Sequence, residues 1–363
     1  MSADPEARAK ARDAFPVLRH TAFLNAGTFG PLAEATADAV AAAARAELEG
    51  GRGGAPYYER LKEARGRVRS GIAGLVGVDA SRVALTYSTT SGCKIVLAGL
   101  ELASEDEVVT TDEEHFGLLG PLHASGARVR VVPTRGKGHD EALAAILGAV
   151  SARTRLVAMS HVSWITGNLL PVAEVKEESG LPMLVDGAQS AGAIPVDATG
   201  FDFYTISGQK WLCGPDAAGA LYVADPQALR VGLPSYWGRS AHEVDGAFEP
   251  VEGAGRFDPG TIPLPSLAGL AAALAAAPAW RFEAAREMAA RCRDLLAERL
   301  EVVTAPGQAT LVTFRPDGDA AEVVERLREN GVIVRDLPGT EWVRVSCGYW
   351  TSEEDLERLL AGL

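Results

Sequence analysis

The chain has 363 residues, 47% of them hydrophobic and 23% charged, which is enough for two domains and too apolar for disorder or a fibrous repeat. A formal net charge of −13 argues against a nucleic-acid partner, whose affinity rests on lysine and arginine neutralising phosphates, and favours a small-molecule substrate. The opening residues have no apolar core of a signal peptide, and the most apolar stretch, Leu267 to Ala277, is too short for a bilayer, so a cytoplasmic protein is expected. Cys93, Cys213, Cys292 and Cys347 are scattered without metal-ligand spacing, so neither a disulfide framework nor a metal site is expected.

Residues up to about His20 read as a short helix and connector, followed by an extended entry that contains Asn25. Pro31 suits the first turn of a helix running to about Glu49. The glycines from Gly50 to Gly54 break it. They fail as a dinucleotide fingerprint, because a helix precedes them and the third required glycine falls on Pro56, so a nicotinamide oxidoreductase is disfavoured. Tyr57 to Leu75 reads as a second long helix. Val83 to Tyr87 is a strand, and Ser88-Thr89-Thr90-Ser91-Gly92 turns into a helix from about Cys93 to Leu100. Hydroxyls and a glycine at such a turn suit an anion, because free N–H groups and the positive end of the helix dipole face it; the same residues also serve as ordinary caps. The Glu107 to Thr110 strand leads to His115, and Thr154 to Ser160 leads to Trp164.

The Met183-Leu184-Val185 run ends in Asp186, and a second apolar run, Phe201 to Ile206, leads to Ser207-Gly208-Gln209-Lys210. Strand ends are where open α/β sheets build their sites, so Asp186 and Lys210 are candidates for one pocket. A lysine that forms a Schiff base with an aldehyde cofactor needs a carboxylate elsewhere to keep the pyridine nitrogen protonated. It must also lose its own proton near neutral pH, which burial beside other cations favours. Gly219 to Val223 is the next strand. A helical span from Leu264 to Leu300, interrupted around Pro278, leads to a compact α/β unit with strands Thr310 to Phe314, Gly331 to Arg335 and Trp342 to Ser346 and helices Ala320 to Asn330 and Ser352 to Leu360. Arg344 lies on a short strand, where an unpaired guanidinium is hard to explain as core; it suits a bidentate grip on carboxylate, with a surface ion pair as the alternative.

V-D-G-A-Q at Val185 to Gln189, D-F-Y-T-I-S-G-Q-K-W-L-C-G-P from Asp202 to Pro215 and G-A-L-Y-V at Gly219 to Val223 resemble the class V aminotransferase superfamily of pyridoxal-phosphate enzymes. Within it, the chain is most similar to the isopenicillin N epimerase-like branch, which also holds C–S lyases. The resemblance covers almost the whole chain. It implies a fold-type I α/β architecture: an N-terminal segment, 1–20, packing with the small domain; a large domain, 21–250, with a mostly parallel seven-stranded sheet between helices; and a small C-terminal α/β domain, 251–363.

The resemblance also implies pyridoxal 5'-phosphate as cofactor. Lys210 is then the Schiff-base lysine, Asp186 the partner of the pyridine nitrogen, Gln189 the contact to the phenolic oxygen, and His115 the residue stacked on the ring. Thr89, Thr90, Ser207 and Gln209 fall on the phosphate-binding positions, with Ser91, Lys94 and Gln209 replacing the usual Glu, Asn and His. Thr261, in Pro259-Gly260-Thr261, reaches the phosphate of the neighbouring subunit in relatives, which implies a homodimer with a composite site. Arg344 binds the substrate's α-carboxylate, and Asn25 and Trp164 lie on the substrate side. No cysteine lies between Val332 and Val343, where desulfurases carry their nucleophile. The implied reaction is C–S cleavage of a cysteine S-conjugate or sulfoxide. Epimerisation and transamination share its first steps and stay open, as does a protein that binds the cofactor without catalysis.

Overall fold

The computed structural model describes residues 4–363. Seven strands form the principal sheet, in the order Val83–Thr86, Gly219–Val223, Phe203–Ser207, Met183–Asp186, Thr154–Ser160, Glu107–Thr111 and Arg128–Val132. Neighbours are parallel except where Gly219–Val223 runs against both of its partners. Alternate residues of the inner strands enter two apolar layers. Val185, Tyr204 and Ile206 meet Leu61, Val68 and Ile72 on one face, and Leu184 and Phe203 meet Ile95, Leu118 and Leu122 on the other. Burial on both faces is why these strands read as continuous apolar runs rather than alternating ones. The outer strand exposes Arg128 and Arg130, charges that protect an unpaired edge.

A second, antiparallel sheet holds Glu301–Val302, Leu311–Arg315, Val343–Ser346 and Arg335–Asp336 in that order. Its apolar face, with Val312, Phe314, Val343 and Val345, packs against Met288, Cys292 and Leu296 of the helix Arg281–Ala297 and against Leu327 and Leu356. The N-terminal helix Pro5–Asp13 reaches the same unit through Arg12, which donates to Asp355 at 2.6 and 2.9 Å and to the Trp350 carbonyl at 2.6 Å.

Several expectations are corrected. Beyond residue 250, Ile262, Leu264, Leu267 and Leu270 bury themselves in the core of the large sheet with Leu61 and Ile72. Conversely, Ala22 and Leu24 lie in the second core, since Ala22–Phe23 pairs in parallel with Val332–Ile333. The strand expected from Gly331 to Arg335 is therefore two pieces in different sheets, and the second piece sets Arg335 directly opposite Arg344. The helix expected at Pro31 begins at Glu34. Before it the chain is tied under the Lys210 turn, where the Gly30 N–H donates to the Gln209 carbonyl at 2.8 Å. The helix expected near Cys93 begins at Thr89. Among the described residues no helix is long and apolar enough to cross a membrane.

Candidate active site

Asp186 ends its strand 3% exposed, with Oδ1 accepting from the Ala188 N–H at 2.9 Å and from Thr205 Oγ1 at 3.4 Å. The turn that follows needs Gly187: a Cβ there would lie 2.2 Å from the Tyr204 ring and 2.4 Å from the Thr205 carbonyl oxygen. Two residues on, Gln189 is held at both ends. Its Nε2 donates to the Gly27 carbonyl at 2.9 Å and its Oε1 accepts from Trp211 Nε1 at 2.9 Å.

Lys210 follows the neighbouring strand Phe203–Ser207 and shares with Asp186 a cavity of about 150 Å³. Burial pushes its pKa down to about 8; Asp186 opposes the shift, and the charges of Arg344 and Arg335 add to it. An ammonium stripped of water and flanked by guanidiniums gives up its proton near neutrality, as a nucleophilic or basic lysine must.

Thr89, Thr90, Ser207 and Gln209 line the same cavity, as does Ser88, which the sequence reading did not single out. Ser88 is the cap of the helix Thr89–Leu100, its Oγ accepting from the Ser91 N–H at 3.2 Å, so Thr89 and Thr90 form the helix's first turn with their amides free of intrahelical partners. Ser207 Oγ donates to Gln209 Oε1 at 2.6 Å. The result is a cluster of hydroxyl and N–H donors at the positive end of a helix, suited to an anion.

His115, Trp164 and Gln189 complete the cavity wall among the expected residues. His115 caps the helix Phe116–Ala124 through Nδ1, which accepts from the Gly117 N–H at 2.9 Å, and its ring meets Trp164 edge-on at 5.0 Å. Desolvation and the charge of Lys210 hold its pKa below the ordinary value, so the ring is a neutral aromatic surface.

Three expected residues lie outside this lining. Arg344 is fully buried and adjoins it, donating from Nη1 to the Trp164 carbonyl at 2.9 Å and from Nη2 to Thr28 Oγ1 at 3.4 Å, while its Nε has no partner. Burial, and then the charge of Arg335, push its pKa down to about 9. The surface ion pair considered for Arg344 is thus ruled out. Asn25 touches the same group indirectly, accepting from Thr28 Oγ1 at 2.9 Å. Thr261 is exposed and lines no part of the cavity.

Arg335 was not singled out. Its Nη1 donates to the same Thr28 Oγ1 at 3.1 Å and its guanidinium stands 5.9 Å from the Trp164 ring. Arg335 and Arg344 converge with no carboxylate paired to either among the described residues.

Glu114 was also missed. Its carboxyl is buried behind Ser160, accepting from the Ser160 N–H at 2.9 Å, Ser160 Oγ at 2.5 Å and Thr111 Oγ1 at 2.6 Å, with no cation. Burial lifts its pKa from 4.5 to about 7, the three hydrogen bonds opposing and Asp186 adding. Between those values the folded state holds a proton that the unfolded state has lost, so the stability contributed by Glu114 falls as pH rises through that window. In Glu114→Gln the amide oxygen can keep the Ser160 bonds and the charge is gone. The variant should gain up to about 3 kcal/mol relative to the parent at about pH 8 and nothing at about pH 4. Urea midpoints across that range check this; a gain independent of pH would contradict it.

A lysine and a carboxylate at adjacent strand ends, joined in one cavity by anion-accepting donors, on a largely parallel sheet, define the class of protein: an enzyme that works through pyridoxal phosphate on amino acids. Residues 32–359 match the family described as aminotransferase class-V, and the chain belongs to that family. It is 30% identical over 345 residues to the isopenicillin N epimerase of Streptomyces clavuligerus, covering 82% of this chain and 83% of that one. To a probable cysteine desulfurase of Pseudomonas aeruginosa it is 31% identical over 338 residues, covering 84% and 83%. Among solved structures it resembles a C-DES variant with glycine covalently linked to its PLP cofactor, with a TM-score of 0.88, 29% identity and coverage of 96% and 98%. The cystine C–S lyase C-DES with its product cysteine persulfide matches with a TM-score of 0.86, 29% identity and the same coverage.

The donor set present fits the cofactor. Asp186 offers a buried carboxylate whose Oδ2 takes no hydrogen bond from the described residues, Trp164 has a buried indole N–H without a partner, and the Ser88 to Thr90 turn offers free donors.

Proposed function

We propose that the protein is a C–S lyase that eliminates a sulfur substituent from Cβ of a cysteine derivative. The observation that carries this reading is a cavity lysine of lowered pKa beside two guanidiniums that no acid neutralises. Pyridoxal phosphate, when bound, supplies the electron sink for the Cα electron pair. Asp186 would keep the ring nitrogen protonated, Gln189 would contact the phenolic oxygen, His115 would cover the ring, and Ser88, Thr89, Thr90, Ser207 and Gln209 would hold the phosphate. Arg344 grips the α-carboxylate and so orients the Cα–H bond, and neutral Lys210 removes that proton. The Cα electron pair would then form the Cα=Cβ bond as the sulfur leaves with the electrons of the Cβ–S bond and takes up a proton, and hydrolysis of the enamine so made yields pyruvate and ammonia.

Arg335 supports a leaving group that carries its own carboxylate, as the distal half of cystine does. Hydrogen bonds to a charged group contribute about 1.5–3 kcal/mol, so Arg335→Ala should lower kcat/KM for cystine roughly 10- to 150-fold. S-methylcysteine, which has no second carboxylate, should be little affected. Equal losses on both substrates would place Arg335 elsewhere in the chemistry.

The cysteines argue against a persulfide-relaying desulfurase, although desulfurases are among the relatives. Such a relay needs an accessible thiolate, and all four cysteines are buried, with burial pushing the Cys213 thiol up. The test of the reading is to supply cystine, thioethers and sulfoxides to the cofactor-loaded protein and measure pyruvate and ammonia. Inversion at Cα without pyruvate would select an epimerase, and accumulation of the intact keto acid an aminotransferase.

The exposed apolar residues Phe116, at 78%, and Leu233, at 49%, line a cavity that shares Thr90 and His115 with the Lys210 cavity, and support a homodimer closed over this face, with Thr261 of one subunit completing the other's site. Phe116→Glu should shift the protein to monomer in sedimentation and weaken cofactor retention; an unchanged dimer would remove Phe116 from the interface.

A further inference from the structure

A second cavity, of about 210 Å³, lies on the reverse of the Lys210 turn, between Trp211, Gly74, Leu274, Arg281 and Tyr349. It is larger than the cavity around Lys210 itself. Arg281 opens the helix Arg281–Ala297 half-buried, and among the described residues its guanidinium makes one hydrogen bond, from Nη1 to the Pro278 carbonyl at 3.1 Å. Its guanidinium lies 4.2 Å from the Phe282 ring, and no carboxylate among the described residues is paired with it; burial, with Tyr349 opposing, lowers its pKa. The Tyr349 ring is fixed by edge contacts to Phe15, Trp280 and Trp350, yet its hydroxyl has no hydrogen-bond partner among the described residues.

A half-buried guanidinium that faces a cavity without a carboxylate suits an anion, and a phenol hydroxyl beside it can donate to the same group. Arg344, fully buried with an unpartnered Nε, is the more extreme case, at the place where a carboxylate is expected to dock. From this geometry we infer a second binding site, for a small aliphatic carboxylate, built by Arg281 and Tyr349. The planar fork of Arg281 pairs with the two carboxylate oxygens, Tyr349 Oη donates to one of them, and Leu274 with the bare face of Gly74 receives the aliphatic end. Trp211, whose indole N–H holds Gln189, forms the wall toward Lys210, so an occupied site abuts the residue that fixes Gln189.

Titration calorimetry of the cofactor-loaded protein with butyrate tests this. Because butyrate can also reach Arg344 and Arg335, the test is made with Arg335→Ala added to the Arg344→Ala background. That protein should retain one site with a Kd below ~10 mM. Arg281→Ala should abolish it, and Tyr349→Phe, which keeps the ring packing, should weaken it about tenfold by removing one bond to a charged group. Acetate and sulfate should bind more weakly than butyrate, since they leave the apolar wall uncovered. No binding in the protein carrying Arg335→Ala and Arg344→Ala, binding that survives both further substitutions, or sulfate binding as tightly as butyrate would each overturn the assignment.

Discussion

Lys210→Ala should lower turnover of any accepted amino acid by about 10⁴-fold or more, because on the proposed mechanism it removes both the covalent attachment and the base for the Cα proton. The fold should survive, since Lys210 sits in a turn held by main-chain bonds: the Gly30 N–H to the Gln209 carbonyl at 2.8 Å and the Cys213 N–H to the Lys210 carbonyl at 3.0 Å. Cofactor should still bind, because Asp186, Gln189 and the Ser88 to Thr90 turn are untouched, but borohydride should no longer fix it to the protein. A second readout is independent of activity. The Lys210 charge is one cause of the lowered His115 pKa, so His115 should titrate at a higher pH in the variant, as followed by NMR. Retained turnover would remove Lys210 from the chemistry; lost turnover with an unmoved His115 would mean that the lysine stands uncharged or turned away in the parent.

Asp186 and Lys210 were legible because each follows an unbroken apolar run, and burial of a sheet on both faces makes such runs and puts polar residues at their ends. Arg335 was not, because its place beside Arg344 depends on where the chain changes sheets, between Ile333 and Arg335, and on the register of two short strands. Neither leaves a period in the sequence. Glu114 sits in an acidic Asp112-Glu113-Glu114 string that reads as a solvated loop, yet Thr111 and Ser160 supply enough donors to bury it. The place of the helix after residue 263 was illegible for a related reason. Leu264–Ala276 is apolar nearly all round, so its sequence suits either core, and only its packing on Glu34–Gly50 and Gly54–Val76 assigns it to the larger one. The strand-to-helix turn at Ser88 was legible but its helix was started late, because Ser, Thr and Gly are weak helix formers that here serve as cap and first turn.

Asp186→Asn is the sharper probe of the proposed chemistry, because it changes charge and almost nothing else. Asn has the same shape and can keep the Ala188 N–H bond, so the strand end should hold. What is lost is the negative charge that keeps the ring nitrogen protonated, and without that proton the Cα electron pair has no effective sink. Removing one partner of a buried charge pair costs about 2–5 kcal/mol, so kcat/KM should fall roughly 30- to 5,000-fold while bound cofactor, measured by equilibrium dialysis, stays near stoichiometric. The same charge also raises the Lys210 pKa against the effect of burial, so its removal should move the Lys210 titration below about 8. The two effects run in opposite directions for the lysine and the sink: the base becomes more available at neutral pH just as the electron pair it releases loses its destination. A variant slow at every pH, with its alkaline-side titration displaced downward, matches that account. A variant within tenfold of the parent would mean that the ring nitrogen draws its proton from another group, and the assignment of Asp186 would have to be given up.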